Sequence, residues 1–127
     1  MHLAVLQFEL LIRGAESIKD KRRVVRSVKD RLHREHMVSV AEVGLTDSMN
    51  AARLGLAAVS SDARYLASVL DRILDKLRAL PDAELGDYSR QVLHGDQLVG
   101  DFTDDDGTPL WTPEESRDHT DTAPDTP

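Results

Sequence analysis

Nine basic residues stand between positions 13 and 36 (Arg13, Lys19, Lys21, Arg22, Arg23, Arg26, Lys29, Arg31, Arg34) against four acids, Glu16, Asp20, Asp30 and Glu35. This local +5 is the largest positive concentration in a chain whose formal charge is −7. Guanidinium and ammonium groups at such density neutralise phosphates, so Lys19, Lys21, Arg22, Arg23, Arg26 and Lys29 are the residues expected to contact a nucleic acid. Placed at 100° per residue, Lys29, Arg22, His33, Arg26 and Lys19 fall side by side, with Arg23 and Arg34 just beyond. Lys19, Lys21, Arg22 and Arg23 also crowd the first turns of the helix this spacing implies. There the macrodipole favours anions, and each misplaced cation costs a few tenths of a kcal/mol. A phosphate near the loop from Gly14 to Ser17 would meet free backbone N–H groups together with these cations. The competing reading is a solvated helix face, in which Arg26 and Asp30 pair at i,i+4 while Glu16 and Asp20 offset the dipole. The residues alone leave both open.

Other chemistry finds little support. Cysteine is absent, which removes disulfides, thiolate nucleophiles and zinc ribbons together and fits a reducing interior. There is no Gly-x-Ser-x-Gly elbow, P-loop or dinucleotide fingerprint. Glu9 and Glu42 could form a carboxylate pair on neighbouring strands, but nothing supplies a cleft or a general-acid environment. Of the five histidines only His33 and His36 have ligand-like spacing, at a helix end where polar residues are commonplace. The run Asp104-Asp105-Asp106-Gly107 fails as a calcium loop, since setting Gly107 at the sixth position puts Phe102 and Pro113 where ligands are required. Neither an aromatic platform for stacking bases nor a KH-type GXXG clamp is present, so any RNA contact would go through phosphates and shape. The expectation is a protein that is not an enzyme and uses no cofactor or metal.

The elements that must carry the basic row follow from periodicity. Ala4, Leu6, Phe8, Leu10 and Ile12 alternate with Gln7 and Glu9, which gives a first strand over residues 3–12. Gly14 ends it, and Ser17 with Asp20 three residues later opens a helix running to about Glu35. Its core stripe is Ile18, Val24, Val25, Val28 and Leu32. The Val-rich segment Met37 to Leu45, the turn Thr46-Asp47-Ser48 and a run from Ala51 or Ala52 to Val59 read as an antiparallel hairpin. Ser60 or Ser61 caps a second helix whose Leu66, Val69, Leu70, Ile73, Leu74 and Leu77 repeat at three- and four-residue spacing, and Pro81 ends it. Asp87 to His94 makes a last short strand. The order βαββαβ predicts an α+β, ferredoxin-like sandwich over residues 1–95, with a four-stranded antiparallel sheet and both helices on one face. The other face must then be polar, pair with another chain, or bind something.

Residues 101–127 carry nine acids against Arg117 alone, and with Pro109, Pro113, Pro124 and Pro127 they have the composition of a disordered acidic tail, expected over 96–127. Residues 1–100 hold 15 Lys+Arg and 14 Asp+Glu, nearly neutral. Trp111 is the lone indole, a short docking motif or an incidental aromatic. The first twelve residues lack the features of a signal peptide and no apolar stretch reaches the ~18 residues that cross a bilayer, so a cytoplasmic protein with no membrane partner is expected.

Three segments resemble a known family: Ser17-Ile18-Lys19-Asp20-Lys21-Arg22-Arg23-Val24-Val25, then Val38-Ser39-Val40-Ala41-Glu42-Val43, then Leu54-Gly55 followed by Val59-Ser60-Ser61-Asp62. They are similar to the signature stretches of the YlxP-like bacterial proteins, the domain of unknown function 503. The resemblance spans residues 1–95 and implies a ferredoxin-like fold with no catalytic residues to carry over. It also implies a gene often placed among transcription-elongation, translation-initiation and ribosome-maturation genes. The leading expectation is an accessory protein that contacts RNA or the ribosome through the basic first helix. The alternative is a homo-oligomeric scaffold in which open sheet faces or edge strands pair between chains, as the polar-poor run Leu54 to Val59 would permit.

Overall fold

The computed structural model describes residues 1–95, and the expected acidic tail lies outside the described residues. Six elements follow in the order β1 (His2–Leu11), α1 (Ile18–His36), β2 (Ser39–Gly44), β3 (Ala51–Ser60), α2 (Ala63–Arg78) and β4 (Glu84–His94). The strands form one sheet in the order β2-β3-β1-β4, with β1 antiparallel to β3 and β4 and β2 antiparallel to β3. This is the ferredoxin-like split βαβ arrangement expected from the sequence.

Period-two burial makes the sheet two-faced. Ala4, Leu6, Phe8 and Leu10 of β1 join Ala52, Leu54 and Leu56 of β3 in the core, under Val24, Val25, Val28 and Leu32 of α1 and Leu66, Val69, Leu70, Ile73, Leu74 and Leu77 of α2. The opposite face of the sheet has no covering layer among the described residues, and exposed apolar side chains such as Val43 and Val59 stand on it.

Local chemistry sets the element ends. Ser17 Oγ accepts from Asp20 N–H at 3.1 Å and caps α1 as its sequence predicts. At α2 the expected serine cap is corrected to Asp62, whose Oδ1 accepts from Arg64 N–H at 2.9 Å and Tyr65 N–H at 3.3 Å; Ser60 Oγ instead accepts from Asp62 N–H. A carboxylate next to the positive end of the helix satisfies two orphan donors and the dipole together, which a hydroxyl does less well. Met37 closes α1 in the left-handed region at φ 55, donating its N–H to His33 O at 2.9 Å. β4 starts three residues earlier than expected, at Glu84, because a register shift between Phe8 and Leu10 lets Leu85 and Glu84 rejoin the ladder beyond a bulge.

Candidate nucleic-acid interface

α1 lays its apolar arc on the sheet, which fixes where each of its cations points. On the flank facing α2, Glu35 takes both Arg31, 3.3 Å away, and Lys76 of α2. The other flank lies beside β2, the edge strand: the ring of His33 meets Val38 O through Nδ1 at 2.9 Å. Helical geometry places Arg22, Arg26, Lys29 and His33 together on this outer flank, with Lys19 adjoining. Arg22, Arg26 and Lys19 are exposed and Lys29 is half-buried, and among the described residues none of the four has a carboxylate within 4.0 Å. The Arg26–Asp30 pair that a solvated face would use is not formed.

Elsewhere cations are mostly matched: Arg13 to Glu84, Arg53 to Glu9, Arg78 to Asp75 and Arg90 to Asp71. Arg34, Arg64 and Arg72 are the further described cations without a carboxylate partner, dispersed over both helices. Arg23 is exposed and sits 3.5 Å from Asp20, a weak pair that leaves the guanidinium accessible.

Lys21 corrects the predicted set. It is 1% exposed, at the centre of the buried arc between Val25, Val28 and Leu32, and cannot meet a phosphate. Its ammonium donates to Leu45 O at 2.6 Å and Thr46 O at 3.4 Å, and lies 3.1 Å from Glu42 Oε2. The last contact lacks hydrogen-bond alignment, so Coulomb attraction rather than a directed bond holds the carboxylate. Two hydrogen bonds and one ion contact together fasten α1 to the β2–β3 turn and the end of β2. The signal was in the sequence: position 21 falls inside the 18, 24, 25, 28, 32 stripe, and Glu42 shares the inward register of Val40.

The expected phosphate nest at residues 14–17 is also corrected, because the chain fills it with its own carboxylate. Asp20 Oδ2 accepts from Glu16 N–H at 3.1 Å while Oδ1 faces Arg23. The cavity of about 450 Å³ beside it carries Asp20, Asp82 and Glu84 against Arg13 and Arg23, a lining with no excess of positive charge. Glu9 and Glu42 do not meet, since β3 separates their strands; Glu9 pairs with Arg53 on the open face and Glu42 with Lys21 on the helix side.

The remaining candidates stay dispersed. His33 and His36 diverge: His36 packs against the α2 side with Nε2 buried and without a hydrogen bond. Burial lowers its pKa below the usual 6.5, Lys76, Arg72 and Arg31 add to the effect, and Glu35 opposes it. Sequence spacing gave no hint that His2 and His94 meet across β1 and β4, with Nδ1 atoms 2.8 Å apart. Among the described residues no helix is long and apolar enough to cross a membrane. Asp104 to Gly107 and Trp111 lie outside the described residues.

A family model described as a protein of unknown function, DUF503, matches residues 3–90. The chain is similar to the uncharacterized protein YlxP of Bacillus subtilis (strain 168), 33% identical over 76 residues that span 60% of this chain and 83% of that protein. Among solved structures it is similar to the solution structure of a de novo designed protein with ferredoxin fold, at TM-score 0.43 and 16% identity over 82% of this chain and 96% of that one. With the family model covering the sheet and both helices, this chain belongs to the DUF503 family.

Proposed function

We propose that the chain is a non-enzymatic accessory protein that holds RNA, ribosomal RNA included, by its phosphate backbone along the outer flank of α1. The observation that carries this reading is the row Lys19, Arg22, Arg26 and Lys29: four cations on one flank without carboxylate partners among the described residues, in a domain that pairs most of its others. Arg23 stands at its margin. Lys21 belongs to the scaffold.

The row is about 15 Å long at ~1.5 Å per residue, enough to lie beside several phosphates. A surface with no reason to be basic would relieve this repulsion, particularly at a helix start where the dipole already disfavours cations. Positions that break local rules in this way concentrate at functional sites. The gene setting that the family resemblance implies, beside ribosome-maturation and translation genes, points in the same direction by association. Among the described residues no sheet-borne base-stacking platform accompanies the row, since Phe8 is in the core and the ring of Tyr88 lies beneath the guanidinium of Arg78 on the helix side. Contact through phosphates and shape, without reading of bases, is therefore the mode proposed.

The test is co-sedimentation with ribosomal subunits at low and high salt, comparing the native chain with Arg22→Glu/Arg26→Glu. Salt-sensitive binding that the double variant loses while its melting temperature holds supports the reading. A folded native chain that stays in the supernatant at low salt refutes it.

A further inference from the structure

The open face of the sheet has an order that burial alone does not require. Along β1 the outward residues are Leu3, Val5, Gln7, Glu9 and Leu11; along β3 their register partners are Val59, Ala57, Gly55, Arg53 and Ala51. One strand is thus large where its neighbour is small: Val5 beside Ala57, Gln7 beside Gly55, Leu11 beside Ala51. Gly55 and Ala57, with Ala41 of β2, floor a trough of about 450 Å³ walled by Val5 and Val43. Toward its two ends stand apolar side chains that no described residue covers: Val59 beyond Ala57 is 64% exposed and Val43 beside Gly55 is 54% exposed.

From this pattern we infer that the open face is the interface of a homodimer, with the two-fold axis between two facing sheets and along the β1–β3 seam. Such an axis sets β1 of each copy over β3 of the other at equal height. Val5 then enters over the partner's Ala57, Gln7 over the partner's Gly55 and Leu11 over the partner's Ala51, so each ridge meets a hollow. Leu3 and the partner's Val59 close the apolar end. Aligned sheets pack about 10 Å apart and about 30° off parallel, so the pairs nearest the axis keep this match best.

Charge is complementary in the same register. Glu9 and Arg53 face each other within a chain, and both Nε at 3.2 Å and Nη2 at 2.6 Å of Arg53 converge on a single oxygen, Glu9 Oε2. Arg53 Nη1 and Glu9 Oε1 are left over. The two-fold places Arg53 over the partner's Glu9 twice, which brings the unused donors to the unused acceptors. Gly44 keeps space for this: a Cβ there would come within 3.3 Å of Arg53 Nη1. Four strands at ~4.8 Å and about eight residues at ~3.4 Å give a flat footprint of about 500 Å² per copy before side-chain relief. That flat area is about two thirds of the ~800 Å² of accessible surface per partner in a standard interface, and side-chain relief adds to it. Both α1 flanks remain on the outside of such a sandwich, so dimerisation and the RNA reading stand or fall separately.

Sedimentation equilibrium of the full chain at concentrations on the order of 100 µM, adequate for micromolar association, tests the inference. The native chain should have twice the 14.1 kDa mass of one copy. Gly55→Arg fills the trough, and its Cβ meets only the methyls of Val43 at 3.4 and 3.7 Å, so the monomer keeps its fold while dimerisation weakens by about tenfold or more. Glu9→Arg and Arg53→Glu should each be monomeric alone, yet an equimolar mixture should reach the dimer mass, because only a mixed pair opposes unlike charges across the axis. No repair within one chain can produce that rescue. A monomeric native chain, a Gly55→Arg variant that dimerises like the native one, or a mixture of folded single variants that stays monomeric would each overturn the inference.

Discussion

Replacing Lys21 by Met separates the scaffold role of this cation from the surface role of its neighbours. Met keeps the length of the apolar stem but removes an ammonium that contacts Leu45 O, Thr46 O and Glu42. Breaking a buried ion pair by deleting one partner typically costs about 3 to 5 kcal/mol, because the remaining charge stays desolvated. Two features reduce that here: Glu42 keeps 22% side-chain exposure, and Leu45 and Thr46 lie in an exposed turn. A loss of about 2 to 3 kcal/mol follows. At roughly 4 to 8 °C per kcal/mol for a domain this small, the melting temperature should fall by on the order of 10 to 20 °C. Adding Glu42→Gln should restore about half of the loss, since an uncharged amide costs far less to leave beneath α1, and the coupling between the two sites should be about 1 to 2 kcal/mol in a double-mutant cycle. Thermal unfolding followed by circular dichroism is the assay. A Lys21→Met variant within ~0.5 kcal/mol of native, or two substitutions that add without coupling, would show that the three contacts do not hold α1 to the turn.

Three further outcomes are expected. Met37→Gly should raise stability by about 0.5 to 1 kcal/mol in a denaturant titration, since Met37 is 88% exposed and its left-handed backbone strains any residue with a Cβ; an unchanged midpoint would mean that the cap carries no strain. For His36 the folded state holds the ring below the usual 6.5, so on acidification the unfolded chain takes up its proton first and stability drops as pH falls below that value. Stability measured from about pH 7 to 5 should therefore decline less in His36→Gln than in the native chain, and parallel curves would contradict the assigned burial. Arg22→Ala and Arg26→Ala should each shift unfolding by no more than ~0.5 kcal/mol, as exposed cations at a helix surface with no carboxylate partner among the described residues, and a large loss from either would reveal a structural contact.

The fold was legible because its signals are local and mutually consistent. The Ala4, Leu6, Phe8, Leu10 alternation and the Leu66 to Leu77 spacing each specify one element and one face, and two helices separated by a hairpin leave few topologies. What escaped was what depends on distant partners. The position of Lys21 inside the apolar stripe was legible from spacing, but the partners that hold its ammonium, Glu42 and the Leu45 and Thr46 carbonyls, come from a distant strand and turn. The loop before α1 reads as an anion site until Asp20 turns back to fill it. Ser60 and Asp62 are both competent caps two residues apart, and geometry chooses between them. The β1–β3 register, which sets large residues beside small ones, could not be read from either strand separately.

The most direct test of the phosphate-binding row is the salt dependence of RNA affinity by fluorescence anisotropy. Four cations that each displace a counterion predict a slope of log K against log salt of about −3 to −4, reduced by about 1 for each of Lys19, Arg22, Arg26 or Lys29 changed to Ala, with no change in slope for the structural Lys21→Met. No measurable binding at low salt, or a slope that survives removal of Arg22 and Arg26, would contradict the claim.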